Sequence, residues 1–336
     1  MSKPLYRVDN LVIDLHAPAV SVRAVDGVSF SVRAGETLAI VGESGSGKTV
    51  MTLGPLGLLP EGVRIDIRGE AEAGGVSLID ASAAELSALR GRYFGVVFQD
   101  PISSLNPMLK IGPQLASQIS RFRGLGKAPA RREAVQLLRR TGIPDPEDRF
   151  GRYPHEMSGG MLQRSMIALA LAPHPSILIA DEPTTALDAT VQAQVLELLR
   201  QIQSENEIAV VLITHDVGAV AAAADRVLVL YAGQIAEEGS VVDVLTRPAH
   251  PYTRGLLASV PDFRARGRRA EVHEIPGAPP NQLRLEPGCR FADRCAHVVP
   301  DCRIHRPPLI DVAGSAPGHR AACPVIVARE GLGVVA

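Results

Sequence analysis

The sequence lacks an apolar run long enough to cross a membrane. Its apolar stretches, such as Val217 to Ala224 and Ile177 to Ala180, fall far short of the roughly 20 residues that a transmembrane helix needs. The N-terminus, Met1 to Asn10, mixes charge and polarity and contains no apolar core of a secretory signal. We therefore expect the chain to reside in the cytoplasm and to reach a membrane only through a protein partner.

An excess of charge of either sign is also missing. The 336 residues include 35 basic and 36 acidic side chains, which gives a formal net charge of −1. Without a basic surplus there is no general electrostatic attraction to nucleic acid or to anionic lipid, so we expect no nucleic-acid partner. Hydrophobic residues make up 46% of the chain, which is enough to bury a sizeable core.

What is present first is a pattern of strands. Tyr6 to Leu15 and Val28 to Val32 are rich in β-forming residues and partly alternate, which predicts an antiparallel β lobe. Three later apolar runs are short, rich in β-branched residues and bounded by Gly, Asp or Thr, as buried parallel strands are. These runs predict an α/β core and cover Leu38 to Val41, Ile177 to Ala180 and Val210 to Ile213.

Two further regions differ from that core. Residues of about 99–160 have a helical pattern that predicts an inserted helical subdomain, with Ala134, Leu137 and Leu138 on one face of a helix. After Pro248 the sequence is rich in Pro, Arg, Gly and Cys and has little periodicity. We therefore predict a core domain over 1–247 and a small C-terminal extension over 248–336.

One motif points directly to nucleotide chemistry. The segment after the predicted strand at Leu38 to Val41 fits G-x-x-x-x-G-K-[ST], a loop whose amides surround phosphate groups. Its lysine supplies a positive charge to the β- and γ-phosphates of a nucleotide, and its final threonine is a ligand for Mg²⁺. The motif reads Gly42-Glu43-Ser44-Gly45-Ser46-Gly47-Lys48-Thr49.

A pair of acids follows another predicted strand. Asp181 and Glu182 come directly after Ser176 to Ala180 and precede a proline. Taken alone, this arrangement is more typical of a turn, because acids and proline favour strand ends. Together with the phosphate loop it predicts that Asp181 holds Mg²⁺ and that Glu182 is the general base for an attacking water.

Four further short segments lie along the chain in order: Gln99, Ser158-Gly159-Gly160, Ala186-Leu187-Asp188 and His215. With these segments the chain resembles the ABC ATPases, whose Q-loop, signature, D-loop and switch histidine they match in turn. The resemblance implies a P-loop ATPase with a RecA-like core, and a role for glutamine in Mg²⁺ binding and catalysis.

The resemblance also implies a shared active site. In the family, the signature serine and glycines bind the γ-phosphate of ATP held on the partner subunit, so that catalysis requires a dimer. Two features depart from the family pattern. Met161 stands where glutamine is commonest, and His16 to Ser29 contains no aromatic residue to stack on adenine.

Additional segments carry a more specific pattern: Gln99 to Pro101, Ser103 to Pro107, Tyr153 to Glu156, His250 to Thr253, and Gly288 to Phe291 with Arg294-Cys295. These segments resemble the oligopeptide and dipeptide importers of that family. This resemblance implies two membrane permeases, an extracytoplasmic binding protein, and a second ATPase subunit that we expect to be a paralogue. It implies a place at the cytoplasmic face of the inner membrane, with residues of about 99–157 docking a permease.

Other functions fit the sequence less well. Nickel and glutathione importers share the subfamily, so the cargo stays open. Soluble ABC ATPases that act on DNA or ribosomes carry long coiled-coil insertions or two cassettes, and this chain has one phosphate loop. Exporters commonly fuse membrane helices to the cassette, and a P-loop kinase would lack the signature and the switch histidine.

All four cysteines lie in the predicted extension. Cys289, Cys295, Cys302 and Cys323 are separated by five, six and twenty residues, which is looser than the usual spacing of zinc pairs. Four thiolates can hold a [4Fe–4S] cluster, and the resemblance to importer subunits with a cysteine-bearing extension favours it. Zinc and unligated thiols are the alternatives.

Overall fold

The computed structural model describes residues 3–17, 20–60, 62–185, 187–259, 274–283, 285 and 287–325. Its strands are β1 Tyr6–Ala17, β2 Val20–Val32, β3 Thr37–Val41, β4 Arg64–Ala73, β5 Val76–Ser77, β6 Phe94–Val97, β7 Ile177–Asp181, β8 Ala209–Thr214, β9 Arg226–Tyr231, β10 Gln234–Ser240, β11 Ile310–Asp311 and β12 Arg320–Ala321.

The α-helices connect and cover these strands. In chain order they are α1 Lys48–Leu53, α2 Ala83–Tyr93, α3 Pro101–Ser104, α4 Ile111–Arg123, α5 Lys127–Arg140, α6 Pro146–Arg149, α7 Gly159–Leu171, α8 Ala189–Asn206, α9 Val217–Ala223, α10 Val241–Thr246 and α11 Pro251–Ala258. Within the described ranges, no helix is both long enough and apolar enough to span a bilayer.

The chain forms two compact units. The first comprises Met1–Arg7, Ser31–Thr37 and Glu72–Ile213, and the second comprises Val8–Phe30, Leu38–Ala71 and Thr214–Ala336. The α/β prediction is confirmed, because each predicted strand is present and extends by one or more residues. The proposed division at 247/248 stays a prediction.

The first unit joins three parallel strands to a helical bundle. Its strands lie in the order β8-β7-β6, and β7 is buried along its whole length. The helical part surrounds an apolar cluster to which α4, α5 and α7 contribute. On α5 the buried residues recur every three or four positions, as an amphipathic helix requires, and include the predicted Ala134, Leu137 and Leu138.

The second unit contains the order β11-β12-β10-β9-β3. Strand β3 runs parallel to β9, whereas β9, β10, β12 and β11 pair antiparallel with one another in turn. The predicted extension therefore adds the short strands β11 and β12 to a sheet that contains β3, the strand before the phosphate loop. The helix α11 was not predicted, because the proline-rich texture of this region conceals its short amphipathic pattern.

Candidate functional site

The phosphate loop follows the buried strand β3 and ends at α1. Gly42, Gly45 and Gly47 have φ values of 156°, 77° and 100°, which lie in the region that favours glycine. A Cβ atom at Gly42 would overlap the carbonyl oxygen of Leu230, and one at Gly47 would overlap that of Ala24. Glycine is therefore required at both ends of the curled loop.

Lys48 is folded over its own loop. Its Nζ donates hydrogen bonds to the carbonyl oxygens of Gly42 at 2.8 Å and Glu43 at 3.1 Å, and the residue is only 6% exposed. A buried ammonium group held in a glycine-rich loop at a helix start is the arrangement that binds a phosphate anion. Thr49 follows at the second position of α1.

The loop also contains an unsatisfied polar atom. The Ser46 hydroxyl is buried and has no hydrogen-bond partner among the described residues. A buried hydroxyl without a partner is costly, so a ligand oxygen at this position would stabilise the loop. Together with Lys48, this atom makes the loop fit a nucleotide phosphate. Ser44 precedes Gly45 and Ser46 in the same loop.

The far end of the loop is held by a tight hairpin. Strands β9 and β10 are joined by Ala232 and Gly233, whose positive φ values of 45° and 83° give the turn twist that matches paired strands. The Gly233 N–H donates to the Ser46 carbonyl at 2.8 Å, and its own carbonyl accepts from the Asp26 N–H at 2.9 Å. The hairpin thus fixes the loop's backbone.

Glu43 makes contacts that the sequence reasoning missed. Its backbone N–H donates to the Tyr252 hydroxyl at 2.8 Å, and its carboxylate accepts from Arg294 at 2.7 and 3.0 Å. The Tyr252 ring lies 4.5 Å from that of Tyr231, and both pack against Phe291. Residues after position 247 therefore contact the phosphate loop directly.

The two predicted acids occupy the end of β7 in the first unit. Asp181 is the last residue of the strand and is 5% exposed. Glu182 follows with a positive φ of 46°, a conformation that costs energy for a residue with a Cβ. Its N–H donates to the Ile213 carbonyl at 2.9 Å, which holds this unusual backbone in place.

Gln99 lies beside Glu182. Strands β6 and β7 are parallel with Val97 opposite Ala180, so that the residues after both strands emerge at the same end of the sheet. The Gln99 Nε2 donates to the Glu182 carboxylate at 3.0 Å, and the Thr185 hydroxyl donates to the same oxygen at 3.0 Å. The two donors hold one oxygen of Glu182 in a defined orientation.

The signature residues begin a long helix of the first unit. Ser158 caps α7, and its hydroxyl accepts from the Met161 N–H at 3.4 Å. Ser158 and Gly159 are exposed, and Gly159 has open space around it, so the positive end of the helix is accessible to an anion. Met161 packs against the helical core, a position where an apolar side chain is favoured.

The remaining predicted residues that the structure describes lie at helix starts or directly after a strand. Asp188 caps α8 by accepting from the N–H groups of Thr190 and Val191, each at 3.0 Å. His215 is exposed directly after β8, in the second unit. Gly160 is the second residue of α7, and Ala186 lies outside the described residues.

The four cysteines line one cavity in the second unit. Cys289, Cys295, Cys302 and Cys323 are half-buried around a volume of about 90 Å³. Burial, with a smaller effect of the neighbouring thiols, raises the pKa of Cys289 to about 11, and burial also raises the pKa of Cys295. Among the described residues, no group of three or more Cys, His, Asp or Glu side chains is placed to hold a metal ion.

The segment His16 to Ser29, which contains no aromatic residue, includes the end of β1 and most of β2. His16, at the end of β1, hydrogen-bonds Ser21 at 2.8 Å and Asp66 at 3.0 Å. From Val20 onward the segment is part of β2.

Two family models match the chain. One, described as ABC transporter, matches residues 25–185, and the other, described as Oligopeptide/dipeptide transporter, C-terminal region, matches residues 236–302. The second match begins in β10 and reaches Cys302, so it includes Arg294 and three of the cysteines.

Curated relatives are similar over most of their length. The chain is 47% identical over 301 residues to the probable peptide ABC transporter ATP-binding protein y4tR of Sinorhizobium fredii, covering 90% of this chain and 89% of that protein. It is 45% identical over 319 residues to the oligopeptide transport ATP-binding protein OppD of Salmonella typhimurium, covering 95% and 93%.

Solved structures share the fold. The ATP-binding cassette MJ0796, in a dimeric post-hydrolysis state bound to ADP and Pi, superimposes with a TM-score of 0.62 at 27% identity. The match covers 70% of this chain and 98% of that one. The chain therefore belongs to the ABC transporter family of ATP-binding proteins and carries the C-terminal region of the oligopeptide/dipeptide transporters.

Proposed function

We propose that this chain is the motor subunit of an importer for di- and oligopeptides. As an ABC transporter ATP-binding protein the chain is an ATPase. The observation that carries the proposal is that one chain combines the phosphate loop and the Gln99–Glu182 pair with an extension matching the oligopeptide/dipeptide transporters. Relatives named for oligopeptide and dipeptide transport support the same cargo class.

The proposed nucleotide site uses the loop as an anion cradle. The loop amides and Lys48 would bind the β- and γ-phosphates, and the orphaned Ser46 hydroxyl would donate to a phosphate oxygen. Thr49, Gln99 and Asp181 are the proposed ligands of Mg²⁺, which neutralises charge on the phosphates when bound. Glu43 contributes its place in the loop, while its N–H and carboxylate are engaged by Tyr252 and Arg294.

The proposed chemistry requires one proton transfer. Glu182 would accept a proton from the attacking water, with its oxygen oriented by Gln99 and Thr185. His215 is proposed to contact the γ-phosphate, and Asp188 to lie at the subunit contact. Ser158, Gly159 and Gly160 would bind the γ-phosphate held by a second ATPase subunit, through the exposed start of α7.

The proposed partners of such a motor subunit are two membrane permeases. Two permeases would form the membrane channel, and the chain would bind them as a peripheral subunit on the cytoplasmic face of the inner membrane. Ile102 and Met108 are large apolar residues of the 99–157 region that are 65% and 81% exposed, which suits a docking surface. Closure of two ATPase subunits would then move the permeases.

Uptake measurements test the cargo. In cells lacking this chain, we expect uptake of labelled di- and oligopeptides to fall to background, while uptake of free amino acids is unchanged. Reintroducing the wild-type chain should restore peptide uptake. Loss of nickel or glutathione uptake with peptide uptake intact would contradict the proposed cargo and favour the other members of the subfamily.

For the cysteines, we propose a [4Fe–4S] cluster. The donor chemistry supports it, because four thiols share one cavity and thiolates are the usual ligands of such clusters. The arrangement of the side chains does not by itself form a metal site. No step of ATP hydrolysis is assigned to the cluster.

Metal analysis tests this proposal. Anaerobically purified protein should be brown and should contain about four iron and about four sulfide per chain, as the stoichiometry of such a cluster requires. Replacing Cys289 and Cys295 with serine should remove the colour and the iron together. One zinc per chain, or colourless protein without metal, would contradict the cluster.

A further inference from the structure

Two buried arginines lie between the first two cysteines of the extension. Residues 289–295, which we term the cysteine turn, read Cys289-Arg290-Phe291-Ala292-Asp293-Arg294-Cys295. The side chains of Arg290 and Arg294 are only 7% and 5% exposed. Buried arginines require partners. Arg294 finds one in the phosphate loop, and Arg290 finds its partners in Asp26 and in the hairpin that binds the loop.

Arg294 contacts the first part of the loop. Its Nη1 and Nη2 donate to the two carboxylate oxygens of Glu43 at 2.7 and 3.0 Å. Its other donors are used by neighbours: the Tyr231 hydroxyl at 3.2 Å and the carbonyls of Ile275 at 3.2 Å and Pro276 at 2.9 Å. These bonds hold the guanidinium in one orientation, which suits a bidentate pair with a carboxylate.

Arg290 contacts the hairpin at the other end. Its Nη2 donates to the Asp26 carboxylate at 2.7 Å, and its Nη1 donates to the Ala232 carbonyl. The next residue, Gly233, donates to the Ser46 carbonyl. The cysteine turn therefore contacts the phosphate loop directly through Arg294. Through Arg290 it contacts the hairpin that binds the same loop.

The negative charge of Glu43 makes its ion pair with Arg294 important for a phosphate-binding loop. This carboxylate is part of a loop whose ligand is a highly charged anion, and its side chain is 25% exposed, so water screens it only partly. Without a cation beside it, the carboxylate would repel the phosphates and weaken the benefit of Lys48. Arg294 offsets this charge through its two hydrogen bonds to the carboxylate.

We propose that Arg294 is a positioning residue for ATP binding, which it promotes by neutralising Glu43 in the phosphate loop. The proposal rests on the proposed nucleotide site and extends it to the C-terminal extension. It gives that extension a role in nucleotide affinity that is separate from the proposed cluster.

Calorimetric titration of the full-length chain with Mg·ATP tests the proposal. Arg294→Met should bind about 10-fold more weakly than wild type, because an unpaired carboxylate is left beside the phosphates. The double variant Arg294→Met/Glu43→Gln should bind more tightly than Arg294→Met and within about threefold of Glu43→Gln alone, as coupled residues do. A merely structural role would not produce this recovery, because the double variant lacks the ion pair as well.

Arg303→Met is the matched control. Arg303 lies in the same extension and pairs with Asp293 at 2.5 Å, but the two side chains are 57% and 75% exposed and do not contact the loop. We expect its affinity for Mg·ATP to equal that of wild type. If Arg294→Met does not purify as a folded protein, Arg294→Lys keeps the positive charge as a point charge but loses the bidentate geometry. Because the proposal depends on charge neutralisation, this variant should bind within about threefold of wild type.

Three outcomes would overturn the inference: wild-type affinity in Arg294→Met, a double variant that binds no more tightly than Arg294→Met, or a loss larger than tenfold in Arg294→Lys. Lys48→Ala separates this inference from the proposed function. If both Lys48→Ala and Arg294→Met bind Mg·ATP as tightly as wild type, the nucleotide site itself is misplaced. If Lys48→Ala loses affinity and Arg294→Met does not, only the role of Arg294 is refuted.

Discussion

Replacing Glu182 with glutamine is expected to lower the rate of ATP hydrolysis by about 10²- to 10⁴-fold, the range attributed to a positioned general base. Glutamine keeps the size of the side chain and can still accept from Gln99 and Thr185, but it cannot take a proton from water. ATP binding should therefore persist, and the variant should accumulate as a nucleotide-bound dimer. Phosphate release and size-exclusion chromatography with Mg·ATP measure the two effects.

Glu197→Gln is a suitable control for this experiment. Glu197 forms a surface pair with Arg200 on α8, where the two side chains are 65% and 62% exposed, so the substitution should leave turnover unchanged. Turnover by Glu182→Gln within about threefold of wild type would remove Glu182 from the role of base.

Replacing Lys48 with alanine is expected to weaken Mg·ATP binding on the order of 100-fold. The loss follows from the removal of a buried ammonium group, since a charge-assisted hydrogen bond is worth about 1.5–3 kcal/mol. Equilibrium titration gives the affinity directly, and hydrolysis should fall in parallel at low ATP concentration. In contrast to Glu182→Gln, this variant should not accumulate as a nucleotide-bound dimer.

Lys127→Ala provides the comparison for Lys48. Lys127 is exposed at the first position of α5, in the helical part of the first unit, so its replacement should not change ATP affinity. Equal affinity in Lys48→Ala and wild type would mean that the lysine of the loop makes no contact with phosphate.

The strand–loop–helix around Lys48 could be predicted because its signals are local. A short apolar strand, a glycine-rich loop and a helix start lie within residues 37–53, and each glycine that must adopt a positive φ is visible in the motif. The pairing of Gln99 with Glu182 follows from parallel strands that end at the same edge of a sheet. Local sequence patterns therefore predicted the strand, the loop and the helix that follows it.

The contacts of the extension could not be predicted in the same way. Arg294 and Glu43 are 251 positions apart, and an arginine among many arginines gives no signal of burial. The strands β11 and β12 are only two residues long, too short for an alternating pattern to be recognised. Tertiary packing, and not a local sequence pattern, determines both the Arg294–Glu43 pair and the two short strands.

The pairing of the extension with β10 has a consequence for dissecting the protein. Glu237, fully buried in β10, accepts from the N–H groups of Ala249 and His250 and from His319. A protein cut at 247/248 would lose all three donors and leave a buried carboxylate unsatisfied. It would also uncover an edge strand that can pair with another copy, so self-association of the shortened protein would reflect a broken sheet rather than a native assembly.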